Sequence, residues 1–156
     1  CISLIVQYPE KTELVNQLAP VVTEEWGHFR AVLNEMQKRG ITLGRQRKDE
    51  YVNQLLKHIR KGGDGTTQFM DRLLTAALIE ARSCERFKLL HQNLEDQQLQ
   101  KFYYDLMVSE AGHYRLFIKL AKTYLNPEMV DQRWQELLST ERDIMANLEV
   151  RGDRMH

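Results

Sequence analysis

The sequence predicts an all-α protein, and three observations carry that expectation. Apolar residues recur at steps of three and four through every long segment, the period of a helix with one buried face. Glycine occurs 8 times and proline 3 times in 156 residues, too few for the turns of an all-β chain. The clearest breakers, around Pro9, at Gly40, in KGGDGTT and at Asn126-Pro127, separate the periodic runs.

The elements follow in order. YPEKTE, around Pro9, ends an incoming helix and starts another. From about Thr12 to Arg39 the inward series is Leu14, Leu18, Val21, Glu25, His28, Val32 and Met36, with Gly40 as the stop. Pro20 lies inside this run and is expected to kink or divide it. Residues 41–48 read as a loop and 49–61 as a short basic helix. The threonines of KGGDGTT are placed to cap the next helix, about 67–92, with Phe69, Leu73, Ala77, Glu80, Cys84 and Phe87 on one face. After a tight turn near Glu95, a helix of about 97–124 carries Leu99, Phe102, Leu106, Glu110, His113, Phe117, Leu120 and Tyr124. Asn126-Pro127 stops it, and a last helix runs over about 128–149.

Composition narrows the class. Hydrophobic residues make up 42% and charged residues 28%, the balance of a globular protein. The length suits one domain, expected over 1–156. Two cysteines, Cys1 and Cys84, make no disulfide framework and point to a reducing, cytoplasmic setting. No apolar stretch approaches the roughly 20 residues of a membrane span, and no signal peptide is visible. The chain opens on Cys1 inside the apolar run CISLIV, so its N-terminus is expected upstream.

The chemistry sits in two Glu-x-x-His motifs, EWGH (Glu25, His28) and EAGH (Glu110, His113). With 14 Glu and 5 His in the chain, chance alone produces roughly half of one such pair, so a single copy means little. Two copies, both in phase with the inward face of a long helix, mean more. An ionised carboxylate buried unpaired costs several kcal/mol, and a second beside it adds repulsion. Lys and Arg are absent from these inward series, so a metal ion is the economical counter-charge. The i, i+3 spacing aims a carboxylate oxygen and a ring nitrogen at one point.

Reflection supplies a third ligand. Residues equidistant from a hairpin turn lie opposite one another, and Glu110 reflected about Glu95 falls on Glu80. Glu85 points well away from that face and reads as a supporting or surface acid. The same reflection of Glu25 about Pro9–Glu10 falls before Cys1, so a fourth carboxylate is expected upstream. Two Glu-x-x-His helices and two single-Glu helices form the ligand set of ferritin-like di-iron carboxylate bundles. The expected fold is thus a ferritin-like four-helix bundle with an extra short basic helix and a C-terminal helix, its N-terminal helix truncated. Oxygen donors with two imidazoles suit iron or manganese better than zinc.

TEEWGHF, IEARSCERF and SEAGHYRLF together resemble the tRNA 2-methylthio-isopentenyl-adenosine hydroxylases, with IEARSCERF the most specific. The likeness runs from YPE to the terminal RMH. Against that family's pattern the helix with the first glutamate is missing, and the C-terminus stops just short. The resemblance implies O2-dependent hydroxylation of the isopentenyl group on the modified adenosine beside the tRNA anticodon. It implies two iron ions, O2 as co-substrate, and electrons from a separate reductase or ferredoxin, since no flavin or nicotinamide motif is present. In such bundles Glu25 and Glu110 would be the catalytic, bridging carboxylates, Glu80 a terminal ligand, and His28 and His113 ligands of different metals.

A basic segment agrees with an RNA partner. Residues 38–61 hold eight basic side chains against two acids in a chain whose net charge is zero. Arg45, Arg47, Lys48, Lys57, Arg60 and Lys61 are the candidate phosphate contacts; a solvated basic loop and helix explains them equally well without the resemblance. Tyr114 and Cys84 read as packing residues. Competing expectations are another ferritin-like protein, for iron storage or peroxide reduction, and a metal-free helical interaction domain.

Overall fold

The computed structural model describes residues 1–45, 48–61 and 65–149, and all its regular elements are helices. They are α1 (Ile2–Gln7), α2 (Thr12–Lys38), α3 (Glu50–Lys57), α4 (Thr66–Asn93), α5 (Gln97–Tyr124) and α6 (Pro127–Asn147). The chain divides into two compact units, Cys1–Lys48 and Asp49–His156. No helix among the described residues is long and apolar enough to cross a membrane.

In the first unit α1 packs on α2. Leu4, Leu14, Leu18 and Val21 are buried there, each worth about 1.5–3 kcal/mol relative to exposure. Pro20 does not divide α2, which is continuous from Thr12 to Lys38. Pro20 itself is exposed, so its missing N–H and ring fall on the outer side of the helix. The inward series fades beyond Val21. Glu25, His28 and Met36 are half-buried and Val32 is 40% exposed, so apolar period alone overstated the buried face. Gly40 ends the helix as expected, at φ +68°. Its N–H reaches the Gln37 carbonyl at 3.0 Å and that of Ile41 reaches Met36 at 2.9 Å, satisfying carbonyls the helix leaves open.

In the second unit α4 and α5 form a long antiparallel hairpin, with α3 and α6 packed against it. Its turn comprises Leu94, Glu95 and Asp96, and Asp96 caps α5 by accepting from the Gln98 and Leu99 N–H groups at 2.8 and 3.1 Å. The core is the apolar face of each helix: Tyr51 and Leu55 of α3; Phe69, Leu73, Leu74 and Leu78 of α4; Leu106, Phe117 and Leu120 of α5; Val130 and Leu137 of α6. Phe69 against Tyr124 and Phe87 against Tyr103, with ring centroids 5.7 and 5.8 Å apart, hold the two ends of the hairpin in one register.

Three boundaries depart from the sequence reading. The basic helix is shorter than 49–61, spanning Glu50–Lys57 with Asp49 as its cap. The last helix spans Pro127–Asn147, capped by Asn126. The threonines do not cap α4. Thr66 is already inside the helix, and the cap is Gly65, which has no side chain and takes φ +77°.

Two ionic clusters lock the smaller helices onto the hairpin. Asp71 is fully buried and accepts from the Arg60 backbone N–H at 2.8 Å, from the Arg60 guanidinium at 2.8 and 3.0 Å, and from Arg133 at 2.9 and 3.1 Å. Burial pushes its carboxyl upward, but the hydrogen bonds from Arg60 and Arg133 outweigh this and hold it below its ordinary value. Arg133 also donates to the His58 carbonyl at 3.0 Å, fixing the C-terminal end of α3. In the second cluster Glu141 accepts from the buried Tyr51 hydroxyl at 2.6 Å and from Arg82 at 3.0 and 3.2 Å. Burial, and then the Glu141 carboxylate, push the Tyr51 phenol well above its ordinary value.

Candidate metal centre

The α4–α5 hairpin places Glu80 opposite Glu110, and His113 lies one turn beyond Glu110 on the same face. One oxygen from each glutamate and one ring nitrogen of His113 lie within 4.8 Å of one another. Glu110 is 5% exposed and His113 4%, while Glu80 is half-buried. The span is the right one for a common ion: at a metal–donor distance of about 2.1 Å, ligands on opposite sides stand about 4.2 Å apart. Two carboxylates this close repel, and burial sharpens the repulsion. A cation between them converts that cost into attraction, so this donor set fits a metal ion.

The second motif repeats the first within its own unit. His28 Nδ1 lies 3.7 Å from Glu25 Oε1, and His113 Nδ1 lies 3.8 Å from Glu110 Oε2. Neither distance is a hydrogen bond. In both motifs the two donors stand side by side, as i, i+3 neighbours on a helix can.

Neighbouring side chains have other duties. Glu85 is 65% exposed and pairs with Arg82 at 2.6 Å, the behaviour of a surface acid. Cys84 is half-buried with Sγ 3.5 Å from the Met107 carbonyl. Burial and then the Glu110 charge hold its thiol above the ordinary value. Tyr114 packs on Trp134 at 5.9 Å between α5 and α6, and Trp26 stacks on Phe29 at 5.4 Å.

Arg45 and Lys48 are exposed on the connection between α2 and α3, and Arg47 lies outside the described residues. Lys57 and Lys61 are exposed at the C-terminal end of α3, Lys57 donating to Gln54 Oε1 at 3.0 Å. Arg60, beside them, is committed to Asp71. Sequence reasoning missed both ionic clusters, although Asp71 interrupts the apolar run FMDRLL and so carried a signal.

Comparison with known proteins agrees with this geometry. A family model described as tRNA-(MS[2]IO[6]A)-hydroxylase (MiaE) matches residues 1–156. The chain is 37% identical over 123 residues to the tRNA 2-(methylsulfanyl)-N(6)-isopentenyladenosine(37) hydroxylase of Pseudomonas putida, covering 79% of this chain and 58% of that protein. It is 34% identical over 139 residues to the hydroxylase of the same name from Salmonella typhimurium, covering 89% of this chain and 50% of that one. The chain thus spans little more than half the length of these curated relatives. Among solved structures it is similar to protein 43 with aldehyde deformylating oxygenase activity from Synechococcus. That match has a TM-score of 0.89 and 33% identity, and covers 96% of this chain and 74% of the other. The fold is therefore ferritin-like, and the chain belongs to the tRNA-(MS[2]IO[6]A)-hydroxylase (MiaE) family.

Proposed function

We propose that the chain carries the di-iron centre of a hydroxylase acting on the isopentenyl group of 2-methylthio-isopentenyl-adenosine next to the tRNA anticodon. The observation that carries this reading is the convergence of Glu80, Glu110 and His113 donors within 4.8 Å, in a chain of the MiaE family. Glu25 and His28 would be the further ligands of this set. The matching internal geometry of the two Glu-x-x-His motifs supports this, as does the likeness to the Synechococcus oxygenase over 96% of the chain.

When bound, the iron pair supplies O2 activation, with two electrons from an external reductase or ferredoxin. The chain's own residues do the rest. Carboxylates and imidazoles would hold the hard cations, and the burial of Glu110 and His113 keeps water from that side of the site. Arg45, Arg47, Lys48, Lys57 and Lys61 are the groups that would meet RNA phosphates, with Arg60 shared between that role and Asp71. A tRNA substrate places the work in the cytoplasm.

The test uses protein loaded with ferrous iron. About two irons per chain are expected. With a reductant, O2 and isopentenylated tRNA, the hydroxylated nucleoside should form, and Glu110→Ala or His113→Ala should abolish it. Full turnover in those variants would remove the site assignment.

A further inference from the structure

Tyr114 follows His113 in the chain and stands four residues after Glu110 on α5. Helical side chains four apart are neighbours, about 5–6 Å between Cβ atoms, and each leans back over the turn before its own. The Tyr114 side chain therefore lies against the turn that carries Glu110. Its partner on the other side is Trp134 of α6, with ring centroids 5.9 Å apart and planes inclined at 36°. Both residues are half-buried, whereas Glu110 is 5% exposed. The two rings thus join a buried candidate ligand to the protein surface in two short steps.

The chemistry of these rings sets the pair apart. Phenol and indole are the aromatic side chains that lose an electron most readily. The ring pairs Phe69–Tyr124 and Phe87–Tyr103 each include a phenylalanine, which is far harder to oxidise. Tyr114–Trp134 has an oxidisable ring at both ends.

We propose that Tyr114 and Trp134 carry oxidising equivalents from the metal centre to the surface when O2 is consumed without RNA. The inference rests on the di-iron reading above and extends it to the reaction that lacks a substrate. Reduction of O2 to two waters takes four electrons and four protons. In hydroxylation the external donor supplies two of those electrons and the substrate C–H bond the other two. Without substrate the second pair must come from elsewhere, and the two rings deliver it one electron at a time. Tyr114 passes an electron inward and its phenol proton to water. It then regains an electron from Trp134 and a proton from water, while the Trp134 indole releases its own proton. A thiol or ascorbate restores Trp134 with one electron and one proton. Where no such reductant is present, loss of a second electron and addition of water leave hydroxytryptophan, with two protons released.

The experiment exposes ferrous-loaded protein to O2 without RNA or thiol, with catalase removing free peroxide. Peptide mass spectrometry should find one added oxygen on Trp134. Tyr114→Phe keeps the ring but not its ready oxidation, and should reduce that product to the level of zinc-loaded protein, since zinc has no redox chemistry. Electron paramagnetic resonance of rapidly frozen samples should show a ring radical in the parent and none in the Tyr114→Phe, Trp134→Phe double variant. Equal Trp134 oxidation in the parent and in Tyr114→Phe would overturn the proposal. So would equal oxidation in iron-loaded and zinc-loaded protein, which would assign the product to attack from solution. Iron content, read on each sample, shows that the variants fold and load. A protein that binds iron and hydroxylates RNA but leaves Trp134 unmodified loses only this path; one that binds no iron loses the di-iron reading and the path with it.

Discussion

Glu80 and Glu110 lie equally far in sequence from Glu95, and the hairpin brings an oxygen of each within 4.8 Å of the other. The pair is costly in the metal-free protein and favourable with metal, so a single substitution should change sign between the two states. Glu80→Gln in metal-free protein should leave stability unchanged or raise it by about 1 kcal/mol, because a repulsion is removed. With metal in excess it should lose much of the metal-dependent gain, about 2.7 kcal/mol at one hundred times the dissociation constant. Thermal melts with and without ferrous or manganous ion check both halves. A variant destabilised equally in both states would mean that the glutamates do not share an ion.

Asp71 is the other acid whose surroundings decide its charge. Its folded carboxyl titrates below the ordinary value, so the stability it contributes is present above the unfolded value, about 3.9, and is lost as pH falls through the folded one. Asp71→Asn should cost about 3 kcal/mol near neutral pH, since it takes from Arg60 its carboxylate and leaves Arg133 with Glu136 alone. The variant's stability should also change less than the parent's between pH 5 and pH 2. Urea titrations across that range measure it.

The Tyr51 hydroxyl bonds Glu141 at 2.6 Å in the core. Tyr51→Phe should cost about 1.5 kcal/mol, the worth of a hydrogen bond to a charged group, because Arg82 still satisfies the carboxylate. Glu141→Gln should lower the Tyr51 phenol toward its ordinary value, readable by ultraviolet titration at alkaline pH. An unmoved phenol would remove Glu141 as a contributor.

Gly40 has no heavy atom near the position a Cβ would take, yet it holds φ +68°. Gly40→Ala should therefore cost about 1–2 kcal/mol through backbone strain alone. Chemical denaturation gives the value, and a cost near zero would show that the helix end shifts instead.

The hairpin was legible because its signals are local. A periodic series on each side, the NLEDQ turn and a symmetric reflection place Glu80 against Glu110 without any distant information. The ionic clusters were not, since Arg133 meets Asp71 and Tyr51 meets Glu141 only after α3 and α6 have packed on the hairpin. Period also misjudged α2, where Val32 continues the apolar series but is 40% exposed, because spacing says which face a residue shares and not what covers it. The α4 cap failed for a local reason. The chain turns at Gly65, one residue before the hydroxyls that could have capped it.

The connector Leu94–Asp96 carries a final consequence. Surface loops ordinarily absorb an extra residue at little cost. Here an added residue would have to be looped out, or else it would advance α5 by one position, turning that helix by about 100° relative to its neighbour. Glu110 and His113 would then swing away from Glu80 while the helix content stayed the same. Circular dichroism would report an intact protein, and only metal binding would reveal the slip.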